Sequence, residues 1–313
     1  MTPPPRSLRL GRRGQSRSTD PALDDTALAA ARDALSRGRW ADARTLLTAT
    51  REDWDRRGHR ALVLAQATGS HTWAREWQLA EPESPDAALL LACATVRRAV
   101  RGKTSPDAAE EAATAAERLA PDDPTPWLAR LLLAHHQGAE ADFRDAFDEL
   151  RVRHRDHHHA HHLMMTRLAT TSATTPHPVY EFARTTAEHA PADSPLALLP
   201  VVAHAERFQA LAASGEIPPD PAATGHWVSR RARAAVRGAF DWWLEWGTEE
   251  NHARRLVDLN YLAYAKYHEG RMAEAAALFQ RIGPHVTPAP WSFTGRDAHA
   301  AFAAAREHAF RMA

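Results

Sequence analysis

Six histidines fall within nine residues, at His154, His157, His158, His159, His161 and His162. On one continuous helix, His154, His158 and His162 share a face, and His157 and His161 an adjacent one. Imidazoles four residues apart can bind zinc, nickel or copper together. Against this stand Arg151, Arg153 and Arg155, whose charge opposes a cation, and a single nearby carboxylate, Asp156. The segment also sits where one helical hairpin should pass to the next. A solvated loop and helix start is therefore the plainer expectation. Metal binding through His154, His158 and His162 is one chemical alternative, and proton sensing is the other.

Other reactive patterns do not complete. Gly102-Lys103-Thr104 ends like a phosphate-binding loop, but Arg97 stands where the first glycine is required, and no strand precedes it. Glu249 and His252 form a single Glu-x-x-His pair, whereas di-iron bundles need two and further glutamates. No Gly-x-Ser-x-Gly elbow and no His-Glu-x-x-His is present. Cys93 is the single cysteine and lies in an apolar run, Leu89 to Ala94, which suits a buried small hydrophobe better than a nucleophile. The reading is of a protein that is not an enzyme and uses no cofactor.

A second feature is aromatic and basic. His226 to Trp246 holds Trp227, Phe240, Trp242, Trp243 and Trp246 beside Arg230, Arg231, Arg233 and Arg237. Tryptophan and arginine are enriched at interface hot spots, and arginine stacks on aromatic faces. The same residues would also serve as core between hairpins with a solvated basic face, and sequence leaves both readings open. Tyr261, Tyr264, Lys266, Tyr267 and His268 continue the region.

The chain of 313 residues carries 39 basic and 39 acidic side chains, so a general polyanion binder is disfavoured and nucleic acid is an unlikely partner. All but two of the basic residues are arginine; with the abundant alanine this is the bias of high-GC coding, as in a bacterial genome. No stretch approaches about 18 uninterrupted apolar residues, so no membrane span is expected. Residues 1–22 read as a disordered Arg-rich tail without a signal-peptide core, and the compartment expected is the cytoplasm.

The elements that must position these residues are helices. From Asp24 onward apolar residues recur at helical spacing, and strand signals are scarce. Punctuation comes at Gly38, Gly58, Gly69, Gly102, Gly138, Gly215, Gly247 and Gly270, and at prolines such as Pro82, Pro121, Pro176 and Pro191. Glu81 to Asp86, Ala120 to Pro124 and Ala190 to Pro195 are alike: a proline stops one helix, and an Asp or Ser caps the next. Their spacing approximates a unit of about 35 residues, the length of a helix-turn-helix repeat.

These units resemble the tetratricopeptide-repeat family. Ala263, Gly270, Ala275 and Phe279 follow its pattern of small residues and a turn glycine; Gly38, Trp40, Ala43 and Leu47 repeat part of it, as do Trp127 and Gly138. Phe143 stands where alanine is usual and Lys266 where an aromatic is usual. The resemblance implies an all-α, right-handed α-solenoid over residues 23–313, with about seven antiparallel helical hairpins and a C-terminal capping helix. The hairpins are expected to begin near Asp24, Arg57, Asp86, Thr125, Asp156, Pro195 and Glu249, with the closing helix from Gly295. It also implies an interaction scaffold whose concave face binds a protein or peptide, through Trp227, Arg230, Arg231, Arg237, Trp243, Asn260, Tyr264, Lys266 and Tyr267. A metal- or ligand-responsive regulator built on the histidines is the alternative. Homodimerisation is left open.

Overall fold

A computed structural model describes residues 19–171, 177–246 and 252–313, and all of its regular structure is helical, with no strand among the described residues. The Arg-rich tail, Pro176, Gly247 and Glu249 fall wholly or mainly outside those ranges. The helices are α1 (Thr26–Leu35), α2 (Trp40–Thr50), α3 (Trp54–Leu64), α4 (Ser70–Ala80), α5 (Pro85–Val100), α6 (Pro106–Leu119), α7 (Thr125–Gln137) and α8 (Glu140–Arg153). They continue as α9 (His158–Ala169), α10 (Pro178–His189), α11 (Leu199–Ala213), α12 (Pro221–Thr224), α13 (Arg230–Trp246), α14 (Arg255–Glu269), α15 (Met272–Ile282), α16 (Pro288–Trp291) and α17 (Ala298–Met312). Among the described residues, no helix is long and apolar enough to cross a membrane.

Local sequence accounts for the helix starts. Asp25, Asp53, Ser84, Ser105 and Asp297 each accept a hydrogen bond from a backbone N–H of the first turn, and Pro85 and Pro106 occupy first-turn positions. Gly38 ends the first pair's turn with φ at 85° and lies against the Trp73 indole, so a side chain there would be strained and crowded. Gly58 corrects the punctuation read from sequence. It lies inside α3, and a Cβ there would come within 3.0 Å of Leu128 and 3.3 Å of His157; glycine permits close helix approach instead of ending a helix.

Packing follows one rule along the chain. Each of α1, α3, α5, α7, α9 and α11 contacts the next in that series, and α11 contacts α14. Neighbours in sequence, such as α1 with α2, α5 with α6, α7 with α8 and α14 with α15, pack as pairs. The small residues expected to allow close approach are buried: Ala43, Ala263 and Ala275 are at 0% exposure, as are Leu47 and Phe279. The row of first helices also curves. Helix α3 touches α9 out of series, and Asp24, just before α1, pairs with Arg255 at the start of α14 at 2.6 Å.

A buried guanidinium ties three pairs together. Arg57 of α3 donates to Asp123, before α7, at 2.7 Å and to Asp86, in the first turn of α5, at 2.6 Å. Asp123 also accepts from the Thr125 backbone at 2.8 Å. Removing one partner of such a network leaves buried charge without compensation and costs about 3–5 kcal/mol. We expect Arg57→Met to lower the free energy of urea unfolding by that amount. Adding Asp123→Asn to Arg57→Met should recover part of the loss. A single variant as stable as the wild type would contradict the assignment.

Candidate ligand cavity and histidine–carboxylate centre

The histidine segment is not a solvated loop. His157, His158, His161 and His162 are buried; of the arginines expected to oppose a cation, Arg153 and Arg155 turn elsewhere, while Arg151 lies over the Phe147 ring beside His161. Arg155 is exposed, and Arg153 donates to the Pro121 carbonyl and pairs with Glu149 and Glu117. The helix begins only at His158, because His157 Nδ1 caps it by accepting from the Ala160 N–H at 3.3 Å. His154 therefore ends α8 instead of sharing a face with His158 and His162, which corrects the expected trio. Asp55 of α3 reaches across to the start of α9: it accepts from the His158 backbone N–H at 2.9 Å and lies 3.4 Å from His154 Nε2.

The third ligand-type group comes from α14. Asp258 is buried and is met by three imidazoles. His158 Nε2 lies 3.0 and 2.9 Å from its two oxygens, His162 Nε2 lies 3.2 Å from Oδ1, and His252 Nε2 lies 3.4 Å from Oδ2. The rings are themselves packed, with centroids 4.2 Å apart for His158–His162 and for His158–His252. Burial pushes His158 and His159 well below the ordinary imidazole value, and His161 to about 4, so these rings are neutral near neutral pH. Burial alone would raise the Asp258 carboxyl, but the imidazoles of His158, His162 and His252 outweigh it and hold the group ionised. Nothing near positions 154–162 in sequence points to Asp258; the Glu-x-x-His pair singles out His252 for a different reason.

This centre lies between two cavities. One of about 290 Å³ reaches Asp55, His252 and Asp258 past Trp242, Trp243 and Trp246. The other, of about 840 Å³, is lined by α3, α5, α7, α9, α11 and α14 together with the segments around Leu23 and Val286. Its walls are largely apolar, including Val63, Val96, Leu163 and Phe293, while His59, His159, His162, Arg254, Glu206 and Tyr261 supply polar groups. Three polar atoms of residues lining it, His59 Nε2, His159 Nδ1 and Arg254 Nε, are closed off from solvent and have no hydrogen-bond partner among the described residues. Cys93 also lines it, and burial pushes its thiol up to about 12, as suits an inert core residue.

The residues expected to form a docking face divide into two groups. Trp227, Trp243, Asn260, Tyr264 and Lys266 are buried and packed, so their side chains offer a partner little surface. Trp227 and Tyr264 meet edge to face at 5.9 Å. Asn260 bonds the carbonyls of Leu256 and His285 and accepts from Trp291 Nε1 at 2.8 Å. Lys266 pairs with Glu274 and lies over the Phe240 ring. The periodicity that placed these residues on one stretch could not say which side faced the neighbouring pair. Arg230, Arg231 and Arg237 remain exposed on α13, with Arg231 over the Tyr180 ring, and Tyr267 is half-buried with its hydroxyl against His308.

Glu206 provides a pH test of the interior. Burial lifts its carboxyl from 4.5 to about 7, against hydrogen bonds from Tyr261 and Thr166 that act the other way. The fold thus favours the protonated form. Stability from this group is full below about pH 4.5 and lost as pH rises through about 7. We expect Glu206→Gln, neutral at every pH, to gain roughly 3 kcal/mol relative to the wild type between those limits. Urea unfolding of both proteins from about pH 4.5 to about pH 8 reads the difference, and a constant difference would contradict it. Comparison with protein-family models, with curated proteins and with solved structures finds no match for this chain.

Proposed function

We propose that the chain is a non-enzymatic, cytoplasmic interaction scaffold of the tetratricopeptide-like kind, a right-handed α-solenoid of about seven hairpins with a closing helix. Its inner face takes a short, carboxylate-bearing segment of a protein or peptide partner. The supporting observation is the cavity of about 840 Å³ on the inner side of the first helices. Its size falls within the range of pockets that bury most of a small ligand.

The chemistry of the wall argues for the class of occupant. Buried polar atoms are nearly always hydrogen-bonded, and Arg254 Nε, His59 Nε2 and His159 Nδ1 lack partners within the described chain. A guanidinium N–H and imidazole groups suit a carboxylate. The apolar walls suit the aliphatic or aromatic side chains next to it. Burial of Trp227, Trp243 and Tyr264 takes those side chains out of the expected contact surface, and the cavity offers a site in their place.

A random hexapeptide library offered with free and with amidated C-termini tests this. The wild type should enrich free-acid peptides, and Arg254→Gln should weaken the selected peptides by about 10- to 100-fold, the worth of a charged hydrogen bond. Leu163→Trp, which fills the cavity, should abolish binding. Equal enrichment of acid and amide forms, or equal affinity in Arg254→Gln, would overturn the proposal.

A further inference from the structure

We propose that His158, His162, His252 and Asp258 form a binding site for one zinc-class divalent metal ion, pinning α9 to the start of α14. The inference does not depend on the partner proposed for the larger cavity. Ligand atoms of His158, His162 and Asp258 all lie within 4.8 Å of one another, and His252 Nε2 adds a fourth donor 3.4 Å from the same carboxylate.

The spacing suits a small tetrahedral ion. Bonds of about 2.0–2.1 Å at tetrahedral angles set ligand atoms about 3.3 Å apart. The three imidazole-to-carboxylate separations run from 2.9 to 3.4 Å, and the ligand atoms of His158, His162 and Asp258 all fall within 4.8 Å, so closing them on an ion calls for ring rotation and some approach of the imidazoles. Three imidazole nitrogens and one carboxylate oxygen also select the ion's class. Calcium and magnesium prefer oxygen ligands in larger number, while imidazole-rich sites suit zinc, cobalt, nickel and copper. Two of the donors stand one turn apart on a rigid helix, and Asp258 lies in the first turn of another. His158 Nδ1 has no hydrogen-bond partner among the described residues that would fix its tautomer. Its Nε2 lone pair is therefore available to a metal once the ring proton moves to Nδ1. The cavity of about 290 Å³ ending at His252 and Asp258 gives the ion a way in.

The site binds through residues distant in sequence, so the ion acts as a cross-link and should stabilise the fold by mass action. The test uses untagged full-length protein, stripped with a chelator and titrated with zinc against a chromophoric competitor. Cobalt serves as the spectroscopic probe of coordination. We expect one equivalent of zinc bound, a tetrahedral cobalt spectrum and a raised melting temperature in zinc. Asp258→Asn and His162→Gln should each weaken zinc at least about tenfold, while His189→Gln, at an exposed histidine, should not. Should either buried variant fail to fold, His252→Gln decides, since its side chain retains 17% exposure and tolerates change. Absence of stoichiometric zinc binding by the wild type would overturn the proposal. So would unchanged affinity in every folded variant of the proposed ligands.

Discussion

A carboxylate buried among imidazoles is the constraint on which the rest of this molecule turns. Asp258 cannot be ionised in a protein interior without hydrogen-bond donors, and this carboxylate of α14 is met from α9, by His158 and by His162 alongside it. Those two segments lie about a hundred residues apart in the chain. Satisfying one charge therefore fixes the separation and orientation of helices that sequence places far apart. Asp55 extends the arrangement to α3 by holding the first N–H of α9.

The curvature of the first-helix row fits this requirement. A straight row would carry α3 away from α9 and α14, whereas the contacts of Asp55 with α9 and of Asp24 with Arg255 need them close. Apolar packing supplies the bulk of the stabilisation, through buried alanines and leucines at each helix pair. The polar contacts select which compact arrangement forms, since misplacing them would strand charges such as Arg57, Asp123 and Asp258. An open cavity follows from the curve. Its walls are mainly the first helices of the pairs, and its polar residues include both partnered groups, such as Glu206 and Tyr261, and groups with an unpartnered atom, such as Arg254.

Much of the local order could be read from sequence because it is written locally. Asp or Ser caps, first-turn prolines and turn glycines act over a few residues, and the helix pairs begin close to the expected positions. The alternation of small and large residues at Ala43, Leu47, Ala275 and Phe279 gave burial correctly for the same reason. What escaped was the direction in which faces point. The histidine run looked polar and therefore wet, yet a start at His158 turns His158, His161 and His162 inward while Arg155 stays outside. No local signal carries that information, because the partner is Asp258 in another helix. The aromatic stretch around Trp227 and Tyr264 was ambiguous between core and groove, and the neighbouring pair settled it as core.

Histidine-ring NMR in the presence of a chelator tests burial of this centre most directly. With the segment inside the curve, the rings of His158, His159 and His161 stay neutral down to at least about pH 5, because burial disfavours their charged forms. Titration of these three rings near the free imidazole value of about 6.5 would place them in water and contradict the account.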